Sequence, residues 1–277
     1  MMKKVTLFFD FEAAGRKSFP EKFGLEQLMA GLVAILEKHE ARAVFNTTGK
    51  VVENFPKIVA DLHSKGHEIA CHGYDHENFG LLDAAGLDKV LEKTEKLILG
   101  VTGKKPSGIR CPWLASSDTV IEVISGRDYD WLSNEYLLFP ERWVAPASFS
   151  TANGWVRDKL PLYRRLWQKI RFDIKWSSYP KGPHIIRPGL TSIPLLSSMD
   201  GDLLFYLPPS QESPGQWLDY AFKSWVKQYK RSGEHFNLNL HPWLIGSANR
   251  LELLDRIMDF IVCDGVEFVQ GRDLALK

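Results

Sequence analysis

Two acidic side chains share one face of the first strand-like segment of the chain. Residues 5–11 are mostly β-branched or aromatic, which favours a β-strand. Because successive side chains of a strand point to opposite faces, Asp10 and Glu12 lie on the same side, near the end of this strand. Carboxylates at the ends of barrel strands are often catalytic, whereas at other strand ends they more often cap a turn or a helix.

Two histidines follow another strand-like segment, at a spacing that suits a metal ion. His72 and His76 come directly after residues 67–71, which we predict to be a short strand. If the segment between them forms a helical turn, both imidazoles can bind one cation. Such pairs also arise by chance, but their place at a strand end matches that of the two carboxylates and favours a common site.

The next two strand-like segments end in basic, acidic and aromatic residues. Arg110 precedes Pro112 and Trp113, so the guanidinium is placed to pair with a carboxylate and the indole to stack on a sugar ring. A surface arginine and a tryptophan packed in the core are the alternative. A further short strand carries Asp130 and Trp131.

Polar residues also line one face of the last long strand-like segment. Asn237, Asn239 and His241 alternate with apolar residues, which suits a strand whose polar face borders a water-filled catalytic mouth. In chain order, five strand ends thus carry an acidic pair, a histidine pair, an arginine, an aspartate and a histidine. Each signal is weak alone, whereas the ordered set is specific.

The segments around these residues alternate between strand and helix periodicity. Apolar residues recur at helical spacing in 25–39, 56–62, 83–99, 217–231 and 251–262, and strand-like segments cover 43–48, 67–71, 234–240 and 266–269. Strands that alternate with helices predict parallel βαβ units, and hence an α/β fold with an open sheet or a barrel. The alternation is lost around residues 135–190, which we interpret as an irregular insertion.

Length, charge and cysteine content narrow the class of protein. A chain of 277 residues suits one α/β barrel, and we predict a single domain over residues 1–277. The formal net charge of +1 gives no general attraction to nucleic acid. Three cysteines do not make a disulfide framework, so we expect reduced thiols. The amino terminus lacks a signal-peptide pattern and no apolar run reaches the roughly 20 residues of a membrane span, which predicts a cytoplasmic protein.

The predicted insertion is rich in aromatic and basic residues. Its tryptophans include Trp143, Trp155, Trp167 and Trp176, and its Lys and Arg outnumber its Asp and Glu. Residues 163–170 fit a basic amphipathic helix. This stretch is either a solvated basic face packed on the barrel or a surface for an anionic substrate or lipid head groups. The second interpretation predicts peripheral contact with the inner face of the membrane.

The five polar strand ends resemble the motifs of the polysaccharide deacetylase family, which has the nodulation-type chitooligosaccharide deacetylase homology domain. The resemblance covers about residues 4–135 and 190–270 and leaves the insertion outside it. It implies a distorted (β/α) barrel of the TIM-like kind, which agrees with the alternating strands and helices. It also implies a hydrolase that removes acyl groups from amino sugars.

The resemblance implies a role for each motif residue. The implied catalytic residues are Asp10, Arg110, Asp130 and His241, and the implied metal ligands are Glu12, His72 and His76. The substrate-binding residues are Pro112, Trp113 and Trp131, to which we add Trp243 as a further aromatic platform. Asp10 then acts as general base beside Arg110, and His241 as general acid. Zn²⁺ is the ion that we expect first, and Co²⁺, Mn²⁺ and Ni²⁺ suit the same ligands.

Two features depart from the family pattern. Asp10 and Glu12 flank Phe11, where two adjacent aspartates are usual. Gly73 takes the place of the hydroxyl residue that usually follows the first histidine, which removes a hydrogen bond that could orient that ligand.

We therefore expect a metal-dependent hydrolase that removes an N-acyl group, expected to be acetyl, from an amino sugar of a glycan or of a lipid-linked glycan precursor. Two alternatives remain open. Pro242, Gly246 and Arg250 are similar to a branch that hydrolyses purine-derived ureides, which predicts a metal-independent hydrolase of a ureide or another small amide. A non-catalytic carbohydrate-binding relative is the other alternative, but it has no need of acid, base and ligand residues together.

Overall fold

One sheet forms the centre of the molecule. The computed structural model describes residues 2–12, 23–136, 179–204 and 215–276. Within these ranges the strands are β1 (Lys4–Phe11), β2 (Val44–Thr47), β3 (Glu68–Cys71), β4 (Gly108–Ile109), β5 (Trp131–Leu132), β6 (His184–Arg187), β7 (Leu190–Ser192), β8 (His235–Leu240) and β9 (Glu267–Phe268).

Helices connect most of these strands. They are α1 (Phe23–Lys38), α2 (Gly49–Asn54), α3 (Pro56–Ser64), α4 (Ala84–Thr102), α5 (Asp118–Ser125), α6 (Asp200–Leu204), α7 (Gly215–Arg231), α8 (Pro242–Ile245), α9 (Ala248–Val262) and α10 (Gly271–Leu274). Short 3₁₀ turns cover Phe79–Leu81 and Pro112–Leu114. No helix of the described ranges is both long and apolar enough to span a bilayer.

The strands follow each other in the order β6-β7-β5-β4-β3-β2-β1-β8, and β9 pairs with the start of β1. All pairs are parallel except β6 with β7, which form an antiparallel hairpin at one edge. The sheet is curled into a half-barrel of mostly parallel strands. The predicted α/β, barrel-like fold is therefore confirmed.

Side-chain amides link the two sides of the curled sheet. Asn237 of β8 donates its Nδ2 hydrogen to the carbonyl of Pro194, 2.7 Å away, and its Oδ1 accepts from the backbone N–H of Leu196. Asn239, two residues further along the same strand, donates its Nδ2 hydrogen to Ser197 Oγ at 3.2 Å, and its backbone forms a bridge to Met199. These contacts join β8 to the segment after β7 across the curled sheet.

Apolar side chains fill both faces of the sheet. Phe9 and Phe45 point outward, stack with ring centroids 5.1 Å apart and pack against the helices. Phe8 and Trp131 point inward and meet inside the curl. Gly108 must be glycine, because a Cβ there would lie 1.8 Å from the Trp131 ring. Alternation along β1 therefore separates an outer core from an inner one.

Two details differ from the predicted elements, and a third prediction is not tested. Helix α4 continues past Gly100 and ends at Gly103, which adopts a positive φ of 72° and donates its N–H to the Leu99 carbonyl. The segment predicted as an irregular insertion, 135–190, includes β6 and the start of β7 at its end. The basic helix predicted at 163–170 and the four tryptophans named with it lie outside the described residues.

Candidate active site

Four strands bring their carboxyl ends to one edge of the barrel. Asp10 is near the end of β1, His72 follows β3, Arg110 follows β4 and His241 follows β8. Parallel strands align their carboxyl ends, so residues that are far apart in the chain converge there. The structure brings these four side chains together in one largely buried site.

Asp10 is held by two fixed donors on the same oxygen. Its Oδ1 accepts hydrogen bonds from Arg110 Nη1 at 2.9 Å and from Asn46 Nδ2 at 2.7 Å. Its Oδ2 lies 4.0 Å from His241 Nε2. Burial alone would raise the pKa of Asp10, but the positive charges of Arg110 and His241 and the hydrogen bond from Asn46 hold that pKa well below its usual range. Asp10 is thus an ionised carboxylate with one free oxygen.

Arg110 is fully buried and hydrogen-bonded on every side. Its Nε donates to the Ser133 carbonyl at 3.1 Å, and its Nη2 donates to Ser133 Oγ and to Asn239 Oδ1. Its guanidinium also lies 4.5 Å above the centre of the Phe8 ring. The alternative of a surface arginine is excluded, since the side chain has no exposed area.

Glu12, His72 and His76 form a compact cluster. Glu12 Oε2 lies 2.6 Å from His76 Nε2 and 3.9 Å from His72 Nε2, and one donor atom of each residue lies within 4.8 Å of the others. His72 Nδ1 lies 2.7 Å from the carbonyl oxygen of Arg110, which can only accept, so Nδ1 carries the proton. The lone pair of Nε2 therefore faces the cluster, as in a metal-binding histidine.

The cluster fits a divalent cation. His72 Nε2 is buried without a hydrogen-bond partner among the described residues, and Glu12 Oε2 lies 3.9 Å from it. A buried acceptor that stays unpaired is costly, and a bound cation would satisfy it. One carboxylate and two imidazoles are a common donor set for Zn²⁺ and for related ions.

The two histidines converge through a bend and not through a helix. Residues 72–76 have no helical structure, and both Gly73 (φ 71°) and His76 (φ 56°) adopt left-handed backbone conformations. A helical turn, which the spacing alone made a condition for convergence, is therefore not needed. Gly73 has a local reason to be glycine, since this positive φ strains a residue with a Cβ.

His241 is paired with an aspartate that the sequence did not indicate. Its Nδ1 lies 2.6 Å from Asp200 Oδ1, and its backbone N–H donates to Asp200 Oδ2 at 2.7 Å. Burial alone would lower the pKa of His241, but the carboxylates of Asp200, Asp10 and Glu12 raise it to about 9. His241 is therefore a cation near neutral pH, with Nε2 directed toward Asp10. No spacing rule relates Asp200, the first residue of α6, to a histidine 41 positions later.

Two indoles border the site. Trp113 is 64% exposed, and its ring centre lies 5.4 Å from that of His76. Trp243 is half-buried, with its ring centre 5.4 Å from that of His241, and its Nε1 donates to Glu12 Oε1 at 3.3 Å. Pro112 is buried beside them at the start of the 3₁₀ turn. The predicted residues Pro112, Trp113 and Trp243 therefore lie at the site, with different exposure.

Comparison with known proteins agrees with this arrangement. The family model described as polysaccharide deacetylase matches residues 2–131, and these include the acidic pair, both histidines and Arg110. Residues 2–131 thus carry a polysaccharide deacetylase domain. Members of that family are hydrolases that act on the amide C–N bond of acetylated sugars. A peptidoglycan deacetylase from Helicobacter pylori is 26% identical over 269 residues, which cover 88% of this chain and 81% of that protein.

Solved structures of similar fold include other hydrolases. A protein from Mycobacterium smegmatis described as a polysaccharide deacetylase has a TM-score of 0.69 at 17% identity, covering 98% of this chain and 88% of that one. An allantoinase has a TM-score of 0.67 at 13% identity, covering 98% and 88%. At these identities the likeness concerns the fold alone.

Two residues that the family resemblance placed in the site are elsewhere. Asp130 is exposed, and its backbone N–H donates to the Ser107 carbonyl at the amino end of β5. Trp131 is fully buried, and its Nε1 donates to Glu68 Oε1 at 2.9 Å. The predictions for Asp130 and Trp131 are wrong, because β5 begins at Trp131 and only its other end faces the site. Ser133, beyond that end, is the residue that contacts Arg110.

The buried thiols have no part in this chemistry. Cys71 and Cys111, next to His72 and Arg110 in the chain, are free and fully buried, as expected for reduced cysteines. Burial raises the pKa of each thiol to about 12. Both therefore stay protonated and inert at neutral pH.

Replacement of Trp113 and replacement of Trp131 should have different effects. Trp131→Ala should lower the free energy of unfolding by about 3–5 kcal/mol, because it empties the inner core. Trp113→Ala should change it by less than about 0.5 kcal/mol, because the ring is exposed, and should raise KM by about fivefold through lost stacking. Urea unfolding measures the free energy of unfolding of each variant, and steady-state kinetics measure KM. Equal destabilisation by the two substitutions would contradict this assignment.

Proposed function

We propose that the chain is a metal-dependent deacetylase that removes the N-acetyl group from an amino sugar of a glycan. The observation that carries the proposal is the arrangement of opposite charges around one site. An ionised carboxylate, Asp10, and a protonated imidazole, His241, lie 4.0 Å apart. The cluster of Glu12, His72 and His76 adjoins them and offers three atoms that could bind a metal ion, all within 4.8 Å of one another. A general base, a general acid and a set of metal ligands are the groups that metal-dependent hydrolysis of an amide requires.

Asp10 is placed to accept the proton of an attacking water. A divalent cation bound by Glu12, His72 and His76 would supply Lewis acidity, polarising the acyl carbonyl and lowering the pKa of water. Arg110 and Asn46 occupy Oδ1 of Asp10, so Oδ2 is the oxygen left to take a proton. The low pKa of Asp10 keeps that oxygen ionised at any pH near neutral.

His241 is placed to protonate the leaving amine. Asp200 binds its Nδ1 hydrogen and fixes the ring, so Nε2 carries the proton that can be transferred. An amine leaves an acyl carbon readily only when protonated, and a cationic imidazole is a suitable donor. The products would be acetate and the free amino sugar.

The exposed face of Trp113 is the proposed platform for a sugar ring. An indole that is 64% exposed beside the ligand cluster can stack on the apolar face of a pyranose. The relative from Helicobacter pylori is a peptidoglycan deacetylase, which supports an N-acetylated glycan as the substrate class. That the sugar is lipid-linked, and that the protein contacts the inner face of the membrane, stay predictions from the composition of 135–190, most of which lies outside the described residues.

The alternatives are less well supported. The fold of an allantoinase resembles this one, which keeps a metal-independent ureide hydrolase as a second candidate. His72 Nε2, which is buried and has no hydrogen-bond partner in the described part of the chain, argues against it, because such an atom is costly without a cation. A non-catalytic sugar-binding protein does not explain why Asp200 raises the pKa of a histidine directed at an ionised carboxylate.

Metal content tests the proposal, and the chain offers a matched control. After loading with Zn²⁺ and removal of excess, we expect about one ion per chain by elemental analysis, and none in His76→Ala. His39 forms a second group of metal-binding type with Asp255 and Asp259, on the outer surface. Lys38 already pairs with both of those aspartates, so His39→Ala should keep the ion. No ion in the unaltered chain, or an ion lost only in His39→Ala, would overturn the proposal.

A further inference from the structure

The two carboxylate oxygens of Glu12 have different surroundings. Oε2 faces the imidazoles, 2.6 Å from His76 Nε2 and 3.9 Å from His72 Nε2. Oε1 points the other way and accepts a hydrogen bond from Trp243 Nε1 at 3.3 Å. The side chain of Glu12 is 9% exposed, so water does not readily replace the imidazoles or the indole as its partners. The indole N–H therefore binds Oε1, the carboxylate oxygen that does not face the imidazoles.

The fold holds the Trp243 ring in place. Helix α8 begins directly after His241, with Pro242 in its first turn. Leu244 and Ile245, which follow in the same helix, are buried in the outer core. Gly246 closes the helix at a point where a Cβ would lie 2.3 Å from Leu28. With its helix anchored on both sides, Trp243 presents its N–H from a rigid support.

We propose that Trp243 is a positioning residue for Glu12, which it orients so that Oε2 alone serves as a metal ligand. The inference rests on the proposed metal-dependent function. A glutamate has one more rotatable bond than an aspartate, and fixing it costs side-chain entropy. A donor on Oε1 restricts that freedom before the cation arrives. The longer acid at position 12 and the indole at position 243 are thus parts of one arrangement.

The neighbouring carboxylate, that of Asp10, is held in the same way. Arg110 and Asn46 both bind its Oδ1, so its Oδ2 remains for chemistry. In each acid one oxygen is occupied by fixed protein donors and the other faces the site. This gives Trp243 a role other than that of a sugar platform, which was the prediction from sequence.

A double-mutant cycle measures the coupling between the two residues. The Zn²⁺ affinity of the full chain is measured by competition with a chromophoric chelator for the unaltered protein, Trp243→Phe, Glu12→Asp and the double variant. Trp243→Phe keeps an aromatic ring but removes the donor, and should weaken Zn²⁺ binding by about tenfold. Glu12→Asp withdraws the carboxylate by one methylene from an already long hydrogen bond. In that background Trp243→Phe should change the affinity by less than about twofold.

Trp113→Phe is the matched control. Its Nε1 donates to the His76 carbonyl at 3.3 Å, which is not a ligand atom, so this variant should bind Zn²⁺ within about threefold of the unaltered chain. The midpoint of thermal unfolding of the metal-free proteins shows whether each variant keeps its fold.

Each outcome of the cycle supports or overturns the inference. An unchanged affinity in a folded Trp243→Phe protein would overturn it. The same tenfold loss in both backgrounds, or an equal loss in Trp113→Phe, would also overturn it, because the effect would not pass through Glu12. Failure of the unaltered chain to bind Zn²⁺ is a different result, which would overturn the metal-dependent function itself.

Discussion

Asp10→Asn is expected to lower kcat/KM for an N-acetylated amino sugar by about 10³-fold, the usual contribution of a general base. The amide has the shape of the carboxylate, but its nitrogen or oxygen cannot take the proton of a water at neutral pH. Oδ1 can still accept from Arg110 and Asn46, so the substitution removes the chemical function with little change in geometry.

The same substitution is expected to destabilise the fold. Arg110 is fully buried, and its other partners in the described part of the chain, Ser133 and Asn239, are uncharged. Removing the charge of Asp10 leaves a buried guanidinium without a counter-ion, which costs about 3–5 kcal/mol. Urea unfolding at pH 7 measures the loss.

Asp130→Asn is the control for both measurements. This aspartate is exposed at the opposite end of the barrel, so its replacement should change neither activity nor the free energy of unfolding measurably. If Asp10→Asn kept activity within tenfold, or if Asp130→Asn lost it, the assignment of the base would be wrong.

Asp200→Asn is expected to move the alkaline limit of activity toward neutral pH. A general acid works while protonated, and the pKa of His241 is raised to about 9, so activity should persist up to about pH 9 and fall above it. Without the charge of Asp200, burial dominates and lowers the pKa. We expect the alkaline limb of the kcat profile to shift down by about two pH units, with a loss of about 25-fold at pH 8.5.

The raised pKa also makes stability depend on pH, and the sign can be tested. His241 binds its proton more tightly in the folded state, so its contribution is full below the unfolded pKa of about 6.5. That contribution is lost as the pH rises through about 9. The free energy of unfolding should therefore fall between pH 6 and pH 9.5, and it should fall less in Asp200→Asn.

Asp202→Asn separates this effect from a general disturbance of α6. Asp202 accepts a hydrogen bond from Tyr136 and not from His241. Its replacement should leave the alkaline limb in place. A pH profile of Asp200→Asn that coincides with that of the unaltered chain would show that another group sets the limb.

Much of the site follows from short-range rules applied to the sequence. Alternation along β1 puts Asp10 on the inward face together with Phe8, and parallel strands align their carboxyl ends. These two rules suffice to gather Asp10, His72, Arg110 and His241. The same rules could have predicted Asn46 as a site residue, because β2 places it directly beside Asp10 in the sheet register.

Other features depend on strand ends that local patterns do not determine. Strands β4 and β5 have two residues each, too few for alternation to show which residue faces the site. Trp131 therefore looked like a motif residue, yet it fills the inner core beside Gly108 and Gly271. The bend at Gly73 that joins the two histidines is set by backbone conformation, which the spacing alone did not distinguish from a helical turn.

The sequence by itself determined the alternation of most strands and helices, the resemblance to a family, and most of the residues that meet at the barrel edge, because periodicity and motif spacing are local properties. Only the tertiary structure decided which acid pairs with His241, that Trp243 binds Glu12, and that Asp130 lies at the opposite end. Each of these contacts joins or separates residues that are distant in the chain, and it depends on where short strands begin and how the sheet curls.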